Sequence, residues 1–220
     1  MLSCNIKPGL SRRSMKERYN HRMNIGIDFD GVINTNNAAA MASLENAIAD
    51  RLGYRVGKLS ALNSQDRYGF TDADYGIYRN LRHNQINSQQ FFADMQMMFG
   101  ADSAIKTLND MGHQTYLVTA RGCDSNGEFD ANVRQYVHQT LTKWGLLDRG
   151  LLIDENYSFT DPTKKQIDKV VQYKNLGITV LVDDHGKYIQ NMRRAGFSAI
   201  HFGVEVPNWQ VAIMQIRELT

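Results

Sequence analysis

Five short apolar segments alternate with longer amphipathic segments along most of the chain. Each apolar segment is five to seven residues long and almost continuously hydrophobic. This pattern is typical of strands that are buried on both faces of a parallel sheet. The predicted strands cover residues 23–29 (MNIGIDF), 114–120 (QTYLVTA), 150–154 (GLLID), 178–184 (ITVLVDD) and 198–203 (SAIHFG).

Apolar residues at helical spacing occupy the intervals between and after these strands. Asp161 and Pro162 are suited to cap and begin one of the helices. Strand and helix in repetition predict an α/β fold, a doubly wound, Rossmann-like and mostly parallel sheet. The predicted helices cover residues 101–111, 128–144, 164–173, 185–195 and 208–219.

One interval breaks this rhythm, because about 65 residues, 34–100, separate the first strand from the next core helix. The segments 38–52, 71–83 and 88–95 within it have helical patterns. An insertion of this length with helices of its own is typical of a lid. We therefore expect a core of residues 23–34 and 100–220, a helical cap over residues 35–99, and a tail of residues 1–22.

Composition places the chain among ordinary globular proteins. It has 220 residues, of which 42% are hydrophobic and 22% charged, enough for one domain with a small inserted subdomain. No apolar run approaches the ~20 residues of a membrane span. Cys4 and Cys123 form neither a metal-ligand spacing nor a disulfide framework, which favours a reducing, cytoplasmic environment.

The net charge of +2 is unevenly distributed along the chain. Residues 1–23 carry six basic residues and one acidic residue, so the remaining 197 residues have a net charge of −3. A mildly acidic body argues against a nucleic-acid footprint over the whole fold. The basic segment lacks the apolar stretch of a secretory signal and is expected to be a disordered tail.

Acidic side chains stand at the ends of the predicted strands. Asp28 and Asp30 end the first strand, Thr119 lies at the end of the second, and Asp183 and Asp184 end the fourth. Ligands bind outside the carboxyl ends of parallel strands. If these three strands are neighbours, the carboxylates converge on one crevice, where their mutual repulsion favours a bound divalent cation, Mg²⁺ first.

Each part also has a structural interpretation when it is taken alone. An Asp-x-Asp pair is common in turns, and Asp183 and Asp184 could cap the helix that follows them. Thr119 could be a plain β-branched strand residue. The joint occurrence of these groups at strand ends is what favours a catalytic site.

The series DFDGV, VTAR, a lysine at a helix start, and VDD resembles the four motifs of the haloacid dehalogenase (HAD) superfamily of phosphohydrolases. The match runs from Met23 to about Gly203. The resemblance implies a HAD-type fold and a covalent aspartyl-phosphate route in which Asp28 is the nucleophile. Asp30 would protonate the leaving oxygen and then deprotonate water. Dehalogenating relatives lack this second aspartate, so Asp30 favours phosphate chemistry.

The resemblance also implies how phosphate and metal are held. Thr119, the backbone at Ala120, and Lys164 or Lys165 would bind phosphate, and Arg121 would either bind phosphate or pair with a nearby acid. Mg²⁺ would be ligated by Asp28, the carbonyl of Asp30, and Asp184 or Asp183. Because adjacent strand residues point to opposite sides, one of the last two is expected to bind directly, Asp184 first.

Residues 91–121 are similar to the 5′(3′)-deoxyribonucleotidase branch of the superfamily, which includes bacterial and phage nucleotidases. The resemblance implies an aromatic wall in the cap on which a nucleobase stacks. Aromatic residues at helical spacing are more often core residues, so this assignment stays open. The candidates for the wall are Phe91, Phe92, Tyr75, Tyr68 and Tyr78.

These observations predict a Mg²⁺-dependent phosphatase, a 5′-nucleotidase acting on (deoxy)nucleoside monophosphates. The alternatives are a polynucleotide 3′-phosphatase, which the acidic body disfavours, and a phosphatase of small metabolites such as sugar phosphates. A pseudoenzyme that binds a phosphorylated ligand is the non-enzymatic alternative. The base, the sugar, 5′ against 3′ preference and the oligomeric state stay open.

Overall fold

A computed structural model describes residues 22–35, 38–57, 63–119, 121, 130–153 and 173–219. Its sheet has five parallel strands in the order β3-β2-β1-β4-β5, which places the first strand at the centre. The predicted α/β class with a mostly parallel sheet is confirmed. The strands are β1 (Asn24–Ile27), β2 (Gln114–Leu117), β3 (Leu151–Leu152), β4 (Val180–Asp183) and β5 (Ser198–His201).

Eight helices accompany the sheet in the described part of the chain. The first four follow β1 and precede β2, where the sequence predicts a helical insertion. They are α1 (Ala38–Arg51), α2 (Ser64–Tyr68), α3 (Asp72–Ile86) and α4 (Gln89–Ala93). The others are α5 (Ala101–Asp110), α6 (Ala131–Lys143), α7 (Gly186–Arg194) and α8 (Trp209–Glu218).

The helix ends follow from capping residues. Asp130 accepts hydrogen bonds from the first turn of α6, and Asn208 does the same for α8, so both helices begin one residue later. Thr71 caps α3, which continues to Ile86, three residues beyond the predicted end. The short helix α2, capped by Asn63, had no counterpart among the sequence predictions. The predicted helix 164–173 lies almost entirely outside the described residues.

Separate clusters of apolar side chains pack against the sheet and inside the insertion. The core cluster packs against one face of the sheet and includes Phe29, Phe92 and Trp209, and a smaller group with Leu181 and Ile189 packs against the other face. A second cluster, with Ile48, Phe70 and Tyr78 at its centre, is built only from residues 44–81. The insertion therefore has an apolar centre of its own, whereas α4 packs into the main core through Phe92. The division of the chain at residues 35 and 99 stays a prediction.

Candidate active site

Three aspartate side chains meet at the carboxyl ends of β1 and β4. Asp28 directly follows β1, Asp183 is the last residue of β4, and Asp184 comes next. One carboxylate oxygen from each residue lies within 4.8 Å of the other two. The backbone N–H of Asp28 donates to the carbonyl of Val182 at 3.0 Å, so the two strands remain paired up to the cluster. The structure thus brings together the acids that the sequence analysis singled out.

The cluster is mostly shielded from solvent. Asp28 and Asp183 are 6% and 0% exposed, and Asp184 is half-buried. The Asp183 carboxylate accepts a hydrogen bond from the backbone N–H of His185 at 2.8 Å. Three carboxylates this close repel one another, and low exposure strengthens the repulsion.

The oxygen donors fit a hard divalent cation. Mg²⁺ holds its oxygen ligands at about 2.0–2.1 Å, so neighbouring ligand atoms lie roughly 3–4 Å apart, close to the spacing of the cluster. β4 ends at Asp183 and the chain bends at Asp184, so strand alternation no longer separates the two side chains. Both therefore reach the cluster, although alternation favoured one. The helix cap is His185, whose side chain accepts from Lys187 N–H, rather than either aspartate.

Thr119 follows the end of β2, the strand that pairs with β1. It is 1% exposed, and its hydroxyl oxygen accepts the backbone N–H of Arg121 at 3.0 Å. The adjoining Val118 N–H donates to the carbonyl of Ile27, which keeps β2 aligned with β1 as they approach the site. The hydroxyl proton is thereby directed away from Arg121 N–H and can be donated to a ligand oxygen.

Asp30 occupies a tight turn just beyond the acidic cluster. Gly31 has a φ of 72°, in the left-handed region where glycine is unstrained, and the turn brings Asn34 back to Asp30. The Asn34 amide donates to Asp30 Oδ1 at 3.0 Å. On the other oxygen, Arg121 Nε donates to Asp30 Oδ2 at 2.6 Å. Both carboxylate oxygens of Asp30 are therefore fixed by N–H donors.

Arg121 connects this turn to the inserted helices. Its Nη1 donates to the carbonyl of Ile86, the last residue of α3, at 2.8 Å, and to Asn87 Oδ1 at 3.4 Å. The guanidinium carbon lies 5.5 Å and 5.2 Å from the ring centroids of Phe91 and Phe92. The sequence left phosphate binding and acid pairing open for Arg121, and the structure shows acid pairing.

A cavity of about 220 Å³ opens beside Asp30 and Arg121. Apolar side chains from α1 face Phe91 and a loop methionine across it, and polar groups occupy its inner end. The cavity therefore places both apolar and polar side chains next to Asp30, the predicted proton donor. Its lining consists of Asp30, Asn34, Thr35, Ala40, Met41, Leu44, Phe91, Asp94, Met95, Gln96 and Arg121.

Of the aromatic residues predicted to form a base-stacking wall, only Phe91 lines this cavity. Phe92 is 4% exposed and packs against Phe29 and Tyr136 in the core. Tyr75 packs on Phe70 in the second cluster, which also contains Tyr68 and Tyr78. Phe92, Tyr75, Tyr68 and Tyr78 therefore act as packing residues, the alternative that the sequence left open. Their rings pack in apolar clusters and do not line the cavity.

Three predicted phosphate-binding residues, Ala120, Lys164 and Lys165, lie outside the described residues. Two residues with side-chain amides, Asn34 and Gln96, are among the cavity residues that the sequence analysis missed. Asn34 stands four residues after Asp30 in a glycine-containing turn, a signal that could have identified it. Gln96 follows α4 and has no local signal, because only the tertiary fold brings it to the cavity. Within the described part of the chain, no helix has the length and apolar character needed to cross a membrane.

Comparisons with known proteins identify the fold. No protein-family model and no curated protein matches the sequence. Among solved structures, the chain is similar to a HAD-superfamily hydrolase from Ehrlichia chaffeensis (13% identity, 91% of this chain and 99% of that chain, TM-score 0.52). A predicted phosphatase from Clostridium acetobutylicum gives 12% identity, 81% and 83% coverage and a TM-score of 0.55.

A third similar structure is a predicted phosphoglycolate phosphatase from Haemophilus somnus 129pt, with 13% identity, 81% and 84% coverage and a TM-score of 0.51. Sequence identities this low establish a shared fold and nothing finer. The chain therefore has a HAD-like fold, with the acidic cluster at the carboxyl edge of its sheet.

Proposed function

We propose that this protein is a phosphatase that hydrolyses a phosphate monoester through Asp28. The observation that carries the proposal is the cluster of Asp28, Asp183 and Asp184 at the carboxyl ends of β1 and β4. Solved structures that share the fold include a HAD-superfamily hydrolase and a predicted phosphatase, which supports the reaction class.

Asp28, Asp183 and Asp184 would hold Mg²⁺, with the backbone carbonyl of Asp30 as a further candidate ligand. When bound, the ion supplies positive charge that screens the carboxylates and the phosphate oxygens. Thr119 would donate its hydroxyl to a phosphate oxygen, and Lys164 or Lys165 would add a cation. Phosphoryl transfer depends mainly on such positioning and charge stabilisation.

The reaction proceeds in two displacements. A carboxylate oxygen of Asp28 attacks phosphorus, the bond to the leaving oxygen breaks, and Asp30 gives that oxygen a proton. Water then attacks the phosphoryl group on Asp28 and loses a proton to Asp30. The bond between phosphorus and the Asp28 oxygen breaks, which releases inorganic phosphate and restores both carboxyl groups to their starting states.

A nucleoside monophosphate is the first candidate substrate. The cavity beside Asp30 begins where the leaving oxygen would emerge, and Phe91, Met41 and Leu44 offer apolar surface for a base. The Asn34 and Gln96 amides offer hydrogen bonds to polar edges of a base or sugar. A nucleoside monophosphate has an apolar base face and sugar hydroxyls, so it would contact both the apolar and the polar side chains of the cavity.

A smaller phosphorylated metabolite is the second candidate, favoured by the size of the cavity. About 220 Å³ is below the roughly 300–1,000 Å³ of typical ligand pockets. A sugar phosphate or a short hydroxy-acid phosphate fills such a space without a base. The two candidates differ in whether the apolar wall contributes to binding.

A phosphate-release screen tests both the reaction and the substrate class. Nucleoside monophosphates, sugar phosphates and 3′-phosphorylated oligonucleotides are assayed with Mg²⁺ and with chelator. We expect release only with Mg²⁺, and fastest from a nucleoside monophosphate. Preference for sugar phosphates selects the second candidate, and preference for oligonucleotide ends would point to an end-processing phosphatase.

Asp28→Asn is the decisive variant in this screen. The substitution removes the nucleophile while keeping the shape of the side chain, so turnover should fall to background without loss of folding. Asp110→Asn is the matched control, since Asp110 forms an exposed ion pair with Lys106 on α5. Equal turnover in the two variants would contradict the proposed reaction.

A further inference from the structure

The Asp30 carboxylate is held on both of its oxygens. Asn34 Nδ2 donates to Oδ1 at 3.0 Å and Arg121 Nε donates to Oδ2 at 2.6 Å. A proton donor must lie within about 2.6–3.2 Å of the atom it serves, so its orientation decides its rate. These two contacts therefore fix the group on which proton transfer depends.

Arg121 is itself held by the inserted helices. Its Nη1 donates to the Ile86 carbonyl at the end of α3, and its guanidinium lies against the rings of Phe91 and Phe92. The side chain is only 12% exposed. Charge-assisted hydrogen bonds to a planar guanidinium are directional, so the backbone at Ile86 constrains the position from which Arg121 meets Asp30.

The same contacts argue against a direct grip on phosphate. A guanidinium recognises phosphate with two adjacent N–H donors in a fork. In Arg121, Nε is committed to Asp30 and Nη1 to the carbonyl of Ile86. A fork on phosphate that includes Nε would compete with the bond to Asp30, and one that includes Nη1 would share that nitrogen with the Ile86 carbonyl.

Resting on the function proposed above, we propose that Arg121 is a positioning residue for Asp30. It orients the Asp30 carboxylate toward the leaving oxygen and makes that orientation depend on where the end of α3 lies. Correct seating of the inserted helices is thus required for proton transfer. In this role Arg121 acts through the Asp30 side chain and does not itself contact phosphorus.

The test uses two substrates with different needs for a proton. p-Nitrophenolate leaves readily without protonation, whereas the alkoxide of an alkyl phosphate, such as the best nucleotide from the screen, needs it. kcat/KM reports the first displacement, in which the leaving group departs. Arg121→Met and Asp30→Asn should each lower kcat/KM for the alkyl phosphate by about 10²-fold, the lower range for general acid catalysis. The loss for p-nitrophenyl phosphate should be at least tenfold smaller.

A double-mutant cycle shows whether Arg121 acts through Asp30. Since the arginine has no role once Asp30 cannot transfer a proton, the double variant should match Asp30→Asn alone. The inhibition constant of inorganic phosphate should stay within about twofold of the wild-type value. Additive losses together with weaker phosphate inhibition would overturn the inference and make Arg121 a phosphate ligand.

Arg149→Met is the control for removing an arginine. Arg149 forms an ion pair with Asp102, with 3.3 Å between the two side chains, and Asp102 is not part of the acidic cluster. This variant should leave both substrates unaffected. Arg121→Lys keeps the charge and the aliphatic stem but lacks the fork, so it should show the same substrate-selective loss if Arg121→Met does not fold.

Failure of the positioning role of Arg121 can be distinguished from failure of the proposed phosphatase function. If the wild-type protein hydrolyses both substrates and the Arg121 variants lose activity equally on both, only the positioning role is wrong. If the wild-type protein hydrolyses neither substrate, the proposed function fails and the positioning role fails with it.

Discussion

Asp183 illustrates how a single residue links strand pairing to the site. It is fully buried, its backbone pairs with β5, and its carboxylate accepts the N–H of His185. Burial of a carboxylate is unfavourable unless hydrogen bonds or a cation compensate for lost water. The hydrogen bond from His185 supplies part of that compensation and turns the chain toward α7.

A second buried ionisable residue, His113, gives a pH prediction. It is 6% exposed, and its Nδ1 accepts the Met23 N–H at 3.4 Å. Burial lowers the pKa of His113 below the usual value of 6.5 because the charged imidazolium loses solvation. The unfolded chain therefore binds this proton at a higher pH than the folded chain, so the free energy of unfolding should decrease as pH falls below about 6.5.

Urea denaturation between pH 7.5 and 5 measures this slope. His113→Asn removes the group and should reduce the pH dependence relative to wild type. His138→Asn alters an exposed histidine on α6 and should leave the slope unchanged. Identical slopes for all three proteins would contradict a folded state that disfavours the protonated His113.

Individual residues of the site differ in whether the sequence alone could identify them. The identity of Asp28, Asp183 and Asp184 as strand-end acids could be predicted, because apolar runs end at them. The contact of Arg121 with the Ile86 carbonyl could not be predicted, because Ile86 lies 35 residues earlier in the chain and only the tertiary fold brings the two together. Similarly, helical spacing alone could not separate Phe91, which lines the cavity, from Phe92, which fills the core.

At the scale of elements, helix α8 supports the turn that carries Asp30. Trp209, the first residue of α8, is 2% exposed and donates its indole N–H to the Val32 carbonyl at 3.0 Å. Val32 lies between Asp30 and Asn34, so this bond holds the backbone of the turn that carries Asp30. A C-terminal helix thereby stabilises the backbone next to the proposed proton donor.

Trp209→Phe should remove this hydrogen bond and leave the Val32 carbonyl buried. We expect the free energy of unfolding to fall by about 1–3 kcal/mol, the cost of an unsatisfied buried polar group. Urea denaturation at neutral pH measures the change. Val211→Ala, at a more exposed position of α8, is the control and should change stability far less. Equal stability of Trp209→Phe and wild type would show that the bond does not support the turn.

Elements were predicted well where burial imposes a pattern. All five strands and the described core helices could be recognised, because continuous apolar runs and capping residues mark them. The strands are shorter than predicted, and β1 and β2 end at Ile27 and Leu117, before the site residues Asp28 and Thr119. Helix α2 was missed because five residues give too little periodicity, and its cap at Asn63 resembles an ordinary turn.

At the scale of the whole molecule, the acidic cluster joins two distant parts of the chain. Asp28 and Asp183 are 155 positions apart in the chain. Their carboxylates meet because β1 and β4 are neighbours in the sheet. A cation bound there stabilises the folded state alone, since the unfolded chain has no such cluster. The sequence predicted this meeting from strand-end chemistry, with the order of the strands as its one assumption.

Mg²⁺ should therefore raise the thermal unfolding midpoint of the whole protein. At a hundredfold excess over the dissociation constant, the stabilisation is about 2.7 kcal/mol. Asp184→Asn should reduce the Mg²⁺-dependent increase, whereas Asp110→Asn should keep it. Scanning calorimetry with Mg²⁺ and with chelator measures the difference, and an unchanged increase in Asp184→Asn would exclude Asp184 as a ligand.

The most direct measurement is to locate the phosphoryl group on the protein during turnover. Wild-type protein is mixed with its best substrate and Mg²⁺, quenched in acid within the first turnover, digested and examined by mass spectrometry. We predict a phosphoryl adduct on the peptide that contains Asp28, and no adduct in Asp28→Asn. An adduct on any other residue, or turnover that continues in Asp28→Asn, would contradict the account.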